Sequence, residues 1–202
     1  MARLIICMLL GLVLSNITFG QQQGTILFKI SSPDLSHDSY ILGSHHAFGK
    51  SFFDTLTTAN EILMLADVVI KESLDIVGHT TEEIINERNK TTDWNSYLNK
   101  KDRAFIDSLF QNSTTDLEKL TPTELNVVLN RLYTIQVCQT RSSSDPDLTM
   151  DDYIGEIASK NEQLLIGLET TEEQLEIIRK DVEGMPKKVH RKRIAKQIEL
   201  MR

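Results

Sequence analysis

Residues 150–183 read MDDYIGEIASKNEQLLIGLETTEEQLEIIRKDVE, and the apolar pattern changes twice along them. Met150 to Lys160 has helical spacing. Gln163 to Leu168 (QLLIGL) is a short apolar run of strand length. From Thr170 to Glu183 the pattern is helical again, with Thr170 or Thr171 as N-cap and Glu172 and Glu173 near the positive helix end. Gly184-Met185-Pro186 then stops the chain from continuing as helix. Helix, strand, helix in one uninterrupted stretch predicts a layered α/β protein.

The rest of the chain extends this pattern. Asp67 to Lys71 (DVVIK) is a β-branched run and predicts a buried strand. Phe53 to Met64 predicts a helix, with Phe53, Leu56, Ala59, Leu63 and Met64 near one face. Thr25 to Ile30 (TILFKI) and Ser39 to Leu42 (SYIL) predict two strands around the turn-rich SSPDLSHD, hence a hairpin that Gly43 ends. Helices are predicted over Thr80 to Asn89, where Thr-Thr-Glu-Glu resembles a capping box, and over Tyr97 to Phe110. Another is predicted over Pro122 to Val137, with Thr121 as N-cap and Pro122 at N1. Lys90 to Asn95 and Arg141 to Leu148 read as loops. The expected architecture is a mixed sheet, an N-terminal hairpin plus parallel strands, flanked by helices.

The chain has 202 residues, 40% apolar and 25% charged, with 9 Gly, 4 Pro and 2 Cys. These proportions suit a globular domain with a sizeable core and exclude wholesale disorder or a disulfide-stapled miniprotein. A net charge of -7 argues against a nucleic-acid binder, which needs a broad basic surface. From Arg179 to Arg202 nine basic residues face three acidic ones, a local +6, while the remainder has 13 basic and 26 acidic residues. Such a basic stretch reads as a solvated helix face or one packed on something acidic, rather than as a membrane anchor.

Residues 1–20 read as an export signal. Arg3 gives a positive start, Leu4 to Leu14 is an apolar run too short to span a bilayer comfortably, and Thr18 and Gly20 are small residues before a cleavage at Gln21. No later stretch could span a membrane. The expected location is periplasmic or extracellular, with residues 21–202 as the folded domain. Cys7 would leave with the signal, and Cys138, beside Ile135 and Val137, is expected to be a buried small hydrophobe.

Three polar residues follow three apolar strands. His46 lies in Gly43-Ser44-His45-His46, after SYIL. Glu72 follows DVVIK, and Glu169 follows QLLIGL. Ligand sites in open α/β sheets lie beyond the carboxyl ends of strands, so the three are expected to share one crevice. One imidazole and two carboxylates suit a divalent ion such as Mn, Co or Zn, or acid/base work by Glu72 and Glu169 on a water. Other readings stay open. Glu72 could pair with Lys71, Glu169 could serve as a near-cap for the helix at Thr170, and His46 could bond a backbone carbonyl. His45 reads as structural, Asp151-Asp152 and Glu172-Glu173 as helix-start charges, and His37, His79 and His190 have no partner at ligand spacing.

These segments resemble the TraB/GumN family of exported or membrane-attached proteins, also called the TraB/PrgY group. The resemblance runs from about Leu27 to Ile178. It rests on LFKI, SYILGSHH, ADVVIKES, SSSDPDLTMDDYI and IGLETTEEQLEII. Gly43-x-x-His46 looks like the family's first GxxH motif. Glu72 is similar to its glutamate after the third strand, and Asp151 and Tyr153 to its Asp-x-Tyr helix start. The string Gly167-Leu168-Glu169-Thr170 is the most family-specific. The resemblance implies a fold akin to the erythromycin-esterase and ChaN-like groups, and a metal-dependent hydrolase. Animal relatives, the TIKI proteins, imply a peptidase that acts on secreted substrates. The GumN name implies a link to polysaccharide biosynthesis.

The sequence departs from the family pattern at Ser44-His45, at Lys71, and in the spacing from Ser73 to Asp75. It also has no second GxxH after His46, so the domain is expected to be incomplete. The expected function is an exported metal-dependent hydrolase acting on a cell-envelope or secreted peptide, or on a polysaccharide-related substrate. The alternatives are a non-catalytic protein holding haem or a saccharide in the same crevice, an inactive fragment, or an interaction scaffold.

Overall fold

The computed structural model describes residues 25–34, 36–74, 79–146 and 148–202. The expected export signal, its cleavage point and Asp75 lie outside these residues. The chain divides into two compact units after Gly43.

The first unit contains the hairpin. Strands β1 (Leu27–Ile30) and β2 (Ser39–Leu42) are antiparallel, with Leu27 opposite Leu42 and Ile30 opposite Ser39. An ion pair of 2.6 Å joins Lys29 to Asp38 near the turn. The Gly43 amide donates to the Ile26 carbonyl at 2.7 Å and closes the ladder. A Cβ at Gly43 would meet nothing nearer than 3.7 Å, so the hairpin itself does not require glycine there.

The second unit begins with α1 (Lys50–Asp54) and α2 (Thr57–Leu65), followed by β3 (Val68–Lys71). The single helix expected over Phe53 to Met64 is therefore two. The Asn60 amide donates to the Phe53 carbonyl at 2.8 Å and the Leu56 carbonyl at 3.0 Å, satisfying groups that a continuous helix would pair internally. Phe53, Ala59 and Leu63 are buried as expected, whereas Met64 is exposed.

Next come α3 (Thr81–Asn86), α4 (Lys100–Phe110) and α5 (Pro122–Gln136), with single 3₁₀ turns at Trp94–Ser96 and Leu117–Lys119. Capping boxes start α3 at Thr80 and α5 at Thr121. The loop from Val137 leads to α6 (Met150–Lys160), β4 (Leu164–Gly167), α7 (Thr171–Asp181) and α8 (Lys187–Met201). Thr170 is the N-cap of α7 and forms a capping box with Glu173.

Strands β3 and β4 pair in parallel, with Val68 opposite Leu164 and Lys71 opposite Gly167. Among the described residues, the hairpin and this pair are separate two-stranded sheets. Helix α6 packs against the parallel pair. Val69 is buried, but Val68, Ile70, Leu164 and Ile166 are exposed. DVVIK is thus half-buried rather than buried, because α6 covers one face and successive strand side chains point to opposite faces.

The main core is helical. Ile85, Trp94, Leu98, Ile106, Leu117, Leu120, Leu125, Leu129, Ile194 and Ile198 form one buried cluster. The Trp94 indole donates to the Leu117 carbonyl at 2.8 Å, so its polar edge is satisfied inside the core. Helix α8 joins this cluster through Ile194 and Ile198 and keeps its cations outward, in keeping with the solvated-face reading. Cys138 is exposed, contrary to expectation. Helix α5 ends at Gln136, and Gln139 takes a left-handed backbone at φ 52°, so Cys138 sits in a turn beyond the packed face.

Candidate functional site

His46 sits in the turn that precedes α1. The His45 ring accepts a hydrogen bond from the Ala47 amide at 3.1 Å and stands edge-on to Phe48. That hydrogen bond engages His45 in the turn, which fits a structural role. The His46 carbonyl accepts from the Arg141 guanidinium at 2.9 Å. The same loop anchors α1 through Asp145, whose carboxylate accepts from the Ser51 amide and hydroxyl, both at 2.8 Å. A Cβ at Gly49 would lie 2.8 Å from that carboxylate, so this position must stay open for the Asp145 contact. Partial burial pushes the Asp145 carboxyl up, but its Ser51 hydrogen bonds hold it below its ordinary value.

Glu72 leaves the carboxyl end of β3. Its Oε2 is 3.6 Å from His46 Nε2. The Asp151 Oδ2, from the first turn of α6, is 3.8 Å from the same nitrogen. Both distances exceed hydrogen-bond length, so the imidazole faces two carboxylates without bonding either. His46 and Glu72 are more than half exposed, whereas Asp151 is 19% exposed. The Asp151 Oδ1 is buried and has no hydrogen-bond partner. An orphaned buried carboxylate oxygen is costly. Gln174 on α7 reaches Glu72 Oε2 at 3.5 Å and accepts from the Ser73 hydroxyl at 3.4 Å.

Glu169 follows β4. Its amide donates to the Glu72 carbonyl at 2.9 Å, so the two chain segments stay paired past the strand ends. No hydrogen bond or ion pair among the described residues joins its side chain to His46 or Glu72. Gly167 lies where a Cβ would be 3.2 Å from the Leu74 side chain and 3.3 Å from its amide. A side chain there would press on the segment leaving β3, which passes close by.

The structure therefore brings His46 and Glu72 together, adds Asp151, and brings Glu169 alongside Glu72 by its backbone. Asp151 had read as a helix-start charge, apart from its place in the resemblance. Only the tertiary approach of α6 to the strand end shows its partners. His79, with no expected partner, pairs through Nδ1 with Glu172 at 2.6 Å. That contact raises the histidine's pKa and lowers the glutamate's. It ties the start of α3 to the start of α7.

Ligands bonded to one ion at about 2.0–2.2 Å stand about 3–3.5 Å apart. Among the described residues, no group of three or more His, Cys, Asp or Glu stands close enough to hold an ion without side-chain movement. His46 Nε2 stands 3.6 Å from Glu72 and 3.8 Å from Asp151, slightly wider than that spacing. In chemistry they fit a divalent cation: one imidazole, two carboxylates, and a buried oxygen without a partner.

These features define an α/β protein with an acid-flanked histidine at the carboxyl end of a parallel strand. A model of the TraB/PrgY/gumN family matches residues 26–202. The chain belongs to that family. No curated protein and no solved structure matches it. Among the described residues, no helix is long and apolar enough to cross a membrane.

Proposed function

We propose that this chain is an exported hydrolase that uses a divalent ion at His46, Glu72 and Asp151, with Glu169 beside them, to cleave peptide bonds. The observation that carries the reading is the convergence of Glu72 and Asp151 on His46 Nε2, together with the unpartnered buried Asp151 Oδ1. The family resemblance supports the choice of a peptide bond, and the apolar run of residues 4–14 supports export.

A divalent ion supplies Lewis-acid charge at such a point. The chain's own residues supply the rest. The half-exposed His46 and Glu72 leave the point open to water and substrate, while the more buried Asp151 lies on the protein side. Glu72, which Gln174 reaches at 3.5 Å, would either help hold the ion or take a proton from a nearby water. Arg141 holds the turn that carries the imidazole, and Asp145 anchors the helix that follows it.

The test is a thermal melt with and without Mn, Co or Zn. An ion at a hundredfold over its Kd adds about 2.7 kcal/mol, or about 5–10 °C for a domain of this size. His46→Ala is expected to abolish that rise while leaving the metal-free melt nearly unchanged. A wild-type melt indifferent to all three ions would overturn the metal reading. If the loaded protein bound metal but failed to cut quenched-fluorescent casein peptides, the peptidase assignment would fail.

A further inference from the structure

We propose that Lys71 is a positioning residue: its largely buried side chain, paired with Asp152, holds Asp151 opposite His46 and Glu72. The inference rests on the reading of those three side chains as one site. Lys71 is the last residue of β3 and directly precedes Glu72. Successive residues leaving a strand point to opposite faces. The Lys71 side chain is accordingly 9% exposed and that of Glu72 62% exposed.

Lys71 Nζ donates to Asp152 Oδ1 at 2.8 Å. The other Asp152 oxygen is held by the hydroxyl of Thr149, the N-cap of α6. Adjacent helical residues differ by about 100° around the axis, so fixing Asp152 toward Lys71 turns Asp151 toward His46. Gly155, one turn further along α6, clears the path. A Cβ there would lie 2.9 Å from Lys71 Cδ and 3.2 Å from Nζ. The crossbar thus spans β3 and α6, and each of its ends neighbours one arm of the site in sequence.

A largely buried ion pair is a poor source of stability, because desolvation offsets most of the attraction. It does fix geometry, since neither charge can swing away without losing its partner. A lysine beside Glu72 would otherwise cancel the charge on which the site depends. Directed under α6, it is spent on Asp152 instead.

The experiment uses the full chain, compared with Lys71→Met/Asp152→Asn. This double variant removes both charges, so no uncompensated ion remains, and Asn can still accept from Thr149. Two quantities are read: the His46 ring resonances in metal-free protein, assigned with His46→Ala, and the affinity for Mn. The ring resonances are expected to move about as far as they do in Asp151→Asn. Mn affinity is expected to fall about tenfold or more, as for other residues that orient ligands. Gly155→Ala, which keeps every charge and only crowds Lys71, should give a smaller loss in the same direction.

A purely structural role would lower the melting temperature and leave the ring resonances in place, and that result overturns the proposal. Unchanged Mn affinity in the double variant overturns it as well. If the wild type binds no Mn, the metal reading fails by itself, and the His46 resonances alone decide the role of Lys71.

Discussion

Two regions of the second unit are held together differently. The helical region, α3 to α5 with α8, buries Trp94, Ile106, Leu120, Leu125, Leu129, Ile194 and Ile198 almost completely. The strand region, β3 and β4 with α6, buries Val69, Met150 and Ala158 but exposes Val68, Ile70, Leu164 and Ile166. Stability is concentrated in the first region, and the polar convergence around His46 lies in the second. The cluster around His46 is not enclosed by apolar packing, and polar links such as Lys71–Asp152 and Ser51–Asp145 join the elements around it. A closed apolar core and an open polar cluster make opposite demands on packing.

The most damaging change should be Trp94→Ala. Losing a fully buried tryptophan costs about 3–5 kcal/mol, and the Leu117 carbonyl loses its indole partner. Chemical denaturation should show the loss in full. A cost below about 1 kcal/mol would break the comparison, because the helical core would then not dominate stability.

An effect of intermediate size is expected at Glu124. It is buried, accepts a paired hydrogen bond from the Arg88 guanidinium at 2.8 and 2.9 Å, and completes the capping box of α5. Burial pushes its carboxyl up, but the hydrogen bonds from Arg88 and Thr121 outweigh this and hold it below 4.5. The stability it contributes is therefore complete above that unfolded-state value and is lost as pH falls through the lower folded-state value. Glu124→Gln should cost about 1–3 kcal/mol at pH 7. It should also flatten the acid limb of a stability-versus-pH curve. An acid limb as steep as that of the wild type would assign the acid sensitivity to other carboxylates.

The smallest change is expected on the open face of the parallel pair. Ile70→Thr should alter stability by no more than about 0.5 kcal/mol, because that side chain is 58% exposed. A loss above about 1.5 kcal/mol would show that something covers this face in solution, and the two regions would then differ less than described.

Most of the fold was legible in the sequence because it is written in local signals. Thr121-Pro122 starts α5, Thr170 starts α7, and Gly184 to Pro186 separates α7 from α8. Each uses a side chain that satisfies, or a ring that lacks, a backbone donor at a helix end. The break between α1 and α2 was not legible, since it depends on the Asn60 amide reaching back to the Phe53 carbonyl. Cys138 was misread because apolar neighbours indicate burial only while the helix continues. At the site, His46 and Glu72 could be found because both stand just after strands. Asp151 and Lys71 could not be assigned roles, since each lies beside a similarly charged or oppositely charged neighbour. Which one faces the histidine depends on how α6 lies against β3, a tertiary arrangement that no local sequence signal records.

Cys138 has a practical consequence beyond the fold. It is the sole thiol among the described residues, and it is exposed in the turn after α5. In a chain from which Cys7 had been removed, such a sulfur would have no intramolecular mate, and in an oxidising medium it would couple two molecules into a covalent pair. Non-reducing electrophoresis would show a band of doubled mass that vanishes with dithiothreitol. Under reducing conditions the same atom would accept a maleimide dye, which gives an optical reporter placed outside the packed helices.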